Sequence, residues 1–358
     1  MQIDILPRWL RRTMALGVLT VAVSGCSGAD GAAEPAADAA PVDITGAGAT
    51  FPYPLYSRWF EEYNRRHPDV RINYQAIGSG GGIRQVQNGT VFFGATDGPM
   101  TDEQLAASPE PLLHLPTVIG SVVPAYNLPE VTERLNFTGP LLADIFLGRV
   151  TRWNDRAIAA VNPGVALPDR DITVVHRSDG SGTTFVWVDY LSKVSPAWKE
   201  QVGVGTSVKW PVGIGGKGND GVAGLVKQTA GAIGYMEPAY ARQNGIPFGA
   251  VQNAAGRFVA SSIESVTAAA DGAAATIPDD FRVSITNPPG DAAYPIASFT
   301  WLLIRERPDD VRQSAALVEF VRWALTEGQR FAPELGYSPL PASVVERELA
   351  ALERVRVR

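Results

Sequence analysis

The chain is poor in the residues that most hydrolytic and metal-dependent chemistry needs. Its 358 residues hold one cysteine, Cys26, and three histidines, His67, His114 and His176. Cys26 falls in a leader-like stretch, so the folded body has no cysteine nucleophile. The histidines are widely separated, and no Asp/His grouping has metal-ligand spacing. Neither an activated nucleophile with its base nor a metal cluster is therefore legible. Lysine is scarce, with five among 31 basic residues. There is no basic tract interleaved with aromatics, which argues against a nucleic-acid partner. Internal repeats are absent. The longest leader-type apolar run, Met14 to Val23, is too short to span a bilayer.

The N-terminus is informative instead. Arg8, Arg11 and Arg12 precede the apolar run, and Val23-Ser24-Gly25-Cys26 offers small residues at a cleavage point, as in a secretory leader. The tetrapeptide resembles the lipobox of bacterial lipoproteins, which implies a signal peptide over 1–25, lipidation of Cys26 and a lipid anchor to a membrane. Residues 26–42 beyond it are dominated by Ala, Gly, Pro, Ser and acidic side chains, the composition of a flexible tether. Loss of the leader removes three Arg and one Asp and leaves 28 basic against 36 acidic residues, a net charge of −8. An acidic body of this kind holds an anion through local dipoles, against its own overall field.

Residues 43–358 exceed one ordinary core and suggest two lobes. Short apolar runs alternate with amphipathic segments. Strands are expected at Val42 to Thr45, Arg71 to Gln75, Phe92 to Thr96, Thr117 to Tyr126, Ile172 to Val175, Ala232 to Met236 and Ser298 to Ile304. Helices are expected at Pro54 to Asn64, Gly82 to Gln87, Gly139 to Leu147, Asn154 to Ala160, Phe185 to Leu191 and Val222 to Gln228. A long amphipathic helix, with Pro308 in its first turn, runs through Leu325. This alternation predicts an α/β fold with largely parallel sheets, whose ligands sit beyond the strand ends where helix N-termini converge.

Three loops repeat one design. Arg177-Ser-Asp-Gly-Ser-Gly-Thr-Thr184, Gly46-Ala-Gly-Ala-Thr-Phe51 and Ile77-Gly-Ser-Gly-Gly-Gly82 each follow a strand, turn on glycine, carry a hydroxyl and open a helix. Such a turn leaves outward-facing N–H groups at the positive end of a helix dipole, an anion site. Arg177 adds a fixed fork of donors. A tight βα turn is the plain alternative for any one of them. A fourth loop, Gly94-Ala-Thr-Asp-Gly-Pro99, puts a carboxylate, Asp97, where an anion pocket would not ordinarily want one. Gly213-Ile-Gly-Gly-Lys-Gly218 lacks the ending of a nucleotide loop and reads as a structural turn near the cleft.

Seven ordered motifs resemble the phosphate-binding proteins of ABC-type phosphate importers, the Pst type. They are Thr45 to Pro52, Tyr74 to Gly82, Phe93 to Asp97, Asp179 to Thr183, Val208 to Pro211, Gly215 to Gly221 and Gly231 to Tyr235, and together they span nearly the whole mature chain. The resemblance implies a two-lobed periplasmic-binding-protein clamp of type II, with mixed or parallel sheets flanked by helices and the ligand in the cleft between lobes. Crossovers are placed near Val122 to Asn127 and Tyr294 to Ser298, giving one discontinuous lobe of 43–124 with 294–358 and a second of 125–293. It implies a monomer that closes by a hinge on inorganic phosphate and docks on a membrane permease with its ATPase partner. No cofactor, metal or catalysis is implied. Carried over by position, the ligands are Thr50, Phe51, Ser79, Asp97, Arg177, Ser181, Gly182 and Thr183. Asp179 holds Arg177 and offsets its charge. The sequence departs beside the ligands, with Phe92, Thr96, Gly80 and His176, the last of which adds a titratable group near the site.

Asp97 gives the expected site its discrimination. Phosphate carries at least one proton near neutral pH and donates it to Asp97, whereas sulfate has none and would oppose two acceptors. Sites built around a ligand hydrogen reject analogues lacking it by on the order of 10⁴-fold. A binding protein for another oxyanion such as sulfate or molybdate is the main alternative. A secreted phosphoesterase and a tethered sensor or adhesin are weaker ones.

Overall fold

The structure, a computed structural model, describes residues 41–274 and 277–357. The expected leader and Cys26 lie outside the described residues. Val42, at the expected end of the tether, already belongs to the first strand.

From there the chain runs β1 (Val42–Gly48), α1 (Tyr53–Arg66), β2 (Val70–Ala76), α2 (Ser79–Gln87), β3 (Phe93–Thr96), α3 (Asp102–Ala106), β4 (Leu112–Ser121) and β5 (Val123–Tyr126). It continues through β6 (Asn136–Phe137), α4 (Gly139–Phe146), α5 (Arg156–Val161), β7 (Thr173–Arg177), α6 (Gly182–Val194), α7 (Pro196–Gln201), β8 (Ile214–Gly216), α8 (Gly218–Gln228), β9 (Ala232–Met236) and α9 (Pro238–Asn244). The last part holds β10 (Ala250–Gln252), β11 (Phe258–Val259), α10 (Ile263–Ala274), β12 (Ala297–Arg305), α11 (Val311–Leu325) and α12 (Ala342–Leu352), with 3-10 turns at Glu327–Phe331 and Pro333–Leu335.

Two sheets carry the architecture. The first has the order β2-β1-β3-β12-β4, and the second β5-β9-β7-β8; a small third sheet joins β11, β10 and β6. In the first, β1 pairs parallel with β2 and β3, while β12 runs antiparallel to β3 and β4. In the second, β7 is parallel to β8 and β9, and β5 is antiparallel to β9. Strand β12 is buried from Ala297 to Ile304, so its sequence reads as a continuous apolar run rather than an alternating one. Helix α1 buries Leu55, Tyr56, Trp59 and Tyr63 along one stripe and ends on Arg65 and Arg66, cations suited to the negative end of its dipole.

Three local expectations change. The single strand expected over Thr117 to Tyr126 is two, because the chain leaves the first sheet after Ser121 and enters the second at Val123. At the crossing, the Val122 N–H donates to the Ile296 carbonyl at 2.9 Å, tying the outgoing segment to the returning one. The long helix begins at Val311 with Asp310 as N-cap, whose side chain accepts from Gln313 N–H, so Pro308 lies before the helix rather than in its first turn. The 213–218 turn contains the edge strand β8, paired with β7 from Val175 to Arg177, and leads directly into α8. Among the described residues no helix is long and apolar enough to cross a membrane.

Candidate functional site

The ends of β1, β3 and β7 and the starts of α1, α2, α6 and α8 bring the expected residues together. Thr50, Ser79, Asp97, Arg177, Ser181 and Thr183 are each at most 3% exposed, and Phe51 is fully buried. The loop after β3 and the start of α6 touch closely. A Cβ on Gly182 would lie 2.5 Å from Ser79 Oγ and 2.6 Å from Asp97 Oδ2, so only glycine fits there. Gly80 N–H donates to the Gly180 carbonyl at 2.9 Å, a backbone bond between the loops that precede α2 and α6.

The helix starts present donors. Among the described residues the amides of Thr50, Phe51, Ser79 and Thr183 make no hydrogen bond, which is the unsatisfied condition of a helix N-terminus awaiting an acceptor. Gly182 differs from the expectation, since its N–H donates to Ser79 Oγ at 3.0 Å. Ser181 is the N-cap of α6, its Oγ accepting from Thr184 N–H at 3.0 Å.

The hydroxyls are equally polarised. A hydroxyl has one proton to give and two lone pairs to fill. Ser79 Oγ accepts from Asp97 N–H and Gly182 N–H, at 3.2 and 3.0 Å. Thr183 Oγ1 accepts from Arg177 Nη1 and from Asn219 Nδ2, both at 3.2 Å. Thr50 Oγ1 accepts from the Asn219 backbone N–H at 3.3 Å and its Nδ2 at 2.7 Å. Each oxygen is filled as an acceptor, which leaves the protons of Thr50 and Thr183 to donate, while the Ser79 hydroxyl also faces the Asp97 carboxylate and lowers its pKa.

Arg177 is gripped by Asp179 through a fork, Nε to Oδ1 at 2.8 Å and Nη2 to Oδ2 at 2.6 Å. Gly218 N–H adds a third bond to Asp179 Oδ1 at 3.0 Å. Partial burial of Asp179 works to raise its pKa, but the bonds and charge of Arg177 outweigh burial and hold the carboxyl below its usual range. The pair is close to electrically neutral, so the cradle attracts an anion by aimed donors more than by net charge.

Asp97 is the exception among donors. Its Oδ1 accepts from Thr300 Oγ1 at 2.9 Å. Burial pushes its pKa from 3.8 up to about 7, opposed by the Thr300 bond, Arg177 and Ser79. An ionised carboxylate here is an acceptor among donors, and it faces any anion that the cradle holds.

Several contributors escaped the sequence reading. Tyr74, Tyr240 and Tyr337 donate to three successive carbonyls, those of Ala49, Thr50 and Phe51, at 2.8, 2.5 and 2.6 Å. In the same loop the Ala49 N–H donates to the Ala95 carbonyl, and the amides of Thr50 and Phe51 make no hydrogen bond. Tyr74 and Asn219 stood inside recognised motifs but had no assigned role, and Thr300 sat in a correctly expected strand. Tyr240 and Tyr337 gave no local signal. The His176 ring stacks on Trp210 with centroids 4.8 Å apart, and burial lowers its pKa. His114 is likewise structural, with burial lowering its pKa to about 3 and Nε2 accepting from Met100 N–H. Among the described residues no group of three His, Cys, Asp or Glu could hold a metal ion.

A family model described as a PBP superfamily domain matches residues 34–327. The phosphate-binding protein PstS of Xylella fastidiosa (strain 9a5c) is 50% identical over 307 residues, covering 86% of this chain and 84% of that protein. The phosphate-binding protein PstS of Pasteurella multocida (strain Pm70) is 48% identical over 305 residues, covering 85% and 88%. Among solved structures, a phosphate binding protein from Stenotrophomonas maltophilia superposes with a TM-score of 0.65 over 86% of this chain and 93% of that one, at 18% identity. The shared fold is the two-lobed α/β clamp.

Proposed function

This chain belongs to the PstS phosphate-binding proteins of the PBP superfamily, and from that premise we propose that its cleft binds inorganic phosphate outside the cytoplasm and hands it to an ABC-type importer. The observation that carries this reading is the pairing of a donor-only cradle with one buried carboxylate, Asp97. Four free amides, three acceptor-saturated hydroxyls and Arg177 suit a tetrahedral anion. Asp97 suits an anion that brings a proton.

In this reading the amides of Thr50, Phe51, Ser79 and Thr183 and the hydroxyls of Thr50, Ser79, Ser181 and Thr183 grip the oxygens. Gly182 supplies the close approach of α6 rather than a free amide. Arg177, aligned by Asp179, contributes its remaining N–H groups. The lobes, 43–124 with 294–358 and 125–293, turn about the paired crossover near Val122 and Ile296 and shut on the ligand. The monomer then docks on a permease whose ATPase powers uptake. A lipid on Cys26 holds the protein at the membrane through the 26–42 tether. No step of this cycle makes or breaks a covalent bond in the ligand.

Isothermal titration of the phosphate-stripped protein tests the reading. One phosphate per chain should bind tightly at neutral pH, with sulfate failing to compete. Equal binding of sulfate, or no heat with phosphate, overturns it.

A further inference from the structure

Asn219 lies in the first turn of α8 and is fully buried, yet it is not among the ligands inferred above. Its Oδ1 accepts from Glu237 N–H at 3.1 Å, which fixes the amide so that Nδ2 faces the cradle. From there Nδ2 reaches two hydroxyls that come from different sheets. Thr50, after β1, lies at 2.7 Å, and Thr183, in α6, at 3.2 Å. The Asn219 backbone N–H donates to the same Thr50 oxygen at 3.3 Å. Arg177 Nη1 completes the acceptor capacity of Thr183 Oγ1.

We propose that Asn219 is a positioning residue that sets the polarity of the Thr50 and Thr183 hydroxyls, filling their lone pairs so that each proton is delivered to the bound anion. Without it, each hydroxyl could turn and present a lone pair to the ligand, and a phosphate oxygen would meet an acceptor. Asn219 thereby extends the donor cradle by two bonds without touching the ligand. The residue also spans the cleft, so this polarity is established as α8 meets the loop after β1. The inference rests on the reading that phosphate occupies this cleft.

A double-mutant cycle on phosphate affinity tests it, using Asn219→Leu, Thr50→Val and the combined variant, with thermal melts as the folding control. Each single change should weaken phosphate binding by about tenfold to a hundredfold, the range for a hydrogen bond to a charged group. In the combined variant the loss should stay within about threefold of the worse single, because the hydroxyl that Asn219 organises is already gone. If Asn219→Leu does not fold, Asn219→Ala takes its place in the same cycle. Losses that multiply would mean that Asn219 acts by packing alone and would overturn the positioning role. A parent protein that takes up no phosphate overturns the reading of the site itself, whereas a binding parent with multiplying losses overturns only the role of Asn219.

Discussion

Sulfate is the sharpest probe of Asp97, because it stays unprotonated across the useful pH range while Asp97 does not. In a dry cleft, sulfate can bind only if Asp97 first takes a proton and turns from acceptor to donor. The cost is worked from the ordinary aspartate value of about 3.9, the value a hydrated carboxylate in an open cleft would keep. At pH 7 that proton costs about 3 pH units, or ~4 kcal/mol, a factor of roughly 10³ against sulfate. The rise of the buried group to about 7 expresses the same preference for a proton once the site is shut. Burial therefore yields a ceiling of ~10³ at pH 7, below the 10⁴ or more that a ligand-hydrogen site can reach in general. The exclusion should also erode with acid. Wild-type affinity for sulfate should rise about tenfold per unit between pH 7 and pH 5, following protonation of Asp97. Asp97→Asn, whose amide donates at any pH, should bind sulfate on the order of 10³-fold more tightly at pH 7 and show no such slope. Competition titrations with both anions at three pH values give all the required numbers. A wild-type sulfate affinity that is flat in pH, or an Asp97→Asn protein that still rejects sulfate, refutes the reasoning.

Other outcomes follow from the same geometry. Arg177→Gln should weaken phosphate binding by about a hundredfold, and Arg177→Lys should fail to restore it, since an ammonium cannot reproduce the fork to Asp179; titration of both variants checks this, and full recovery with lysine would contradict it. Tyr240→Phe removes the bond to the Thr50 carbonyl and should cost about 0.5–1.5 kcal/mol of affinity, seen chiefly as faster release in stopped-flow traces. Glu348 is fully buried with both carboxyl oxygens unpartnered among the described residues, and burial raises its pKa well above the usual value. The folded state thus keeps a proton that the unfolded chain gives up above about pH 4.5, so stability falls as pH rises through that point. Glu348→Gln should abolish this loss, with a melting-temperature advantage of a few degrees that widens from pH 5 to pH 8; parallel curves would count against it.

Much of this was legible in the sequence for physical reasons. Glycine loops between an apolar run and an amphipathic one announce strand, turn and helix start, and Arg177, Ser79, Thr50 and Asp97 all lie on or beside such turns. The structure brings these residues together where the ends of β1, β3 and β7 meet the starts of α1, α2 and α6. The errors lie where sequence pattern is silent. The strand break at Val122 lies between Gly120 and Pro124, but the residue there is itself buried, so no exposed turn marks it. Pro308 resembles a helix opener, but the Asp310 side chain supplies the cap and starts the helix later. Tyr240 and Tyr337 reach the cradle from distant parts of the chain, and no local spacing encodes contacts 190 and 286 residues apart. Gly182 holds the expected position, and the bond from its amide to Ser79 Oγ is one that sequence pattern does not show.

The bonds that bridge the cleft carry a consequence for the timing of transport. Gly80 to Gly180, Gly182 to Ser79, Asn219 to Thr50 and Tyr240 to Thr50 all join protein to protein. Under the proposed closure, cargo residence time is governed by the lobes' grip on each other as well as by their grip on the anion. A permease that competes for these four contacts could discharge its passenger without ever recognising phosphate, acting as a key to the carrier and leaving selection wholly to the cleft.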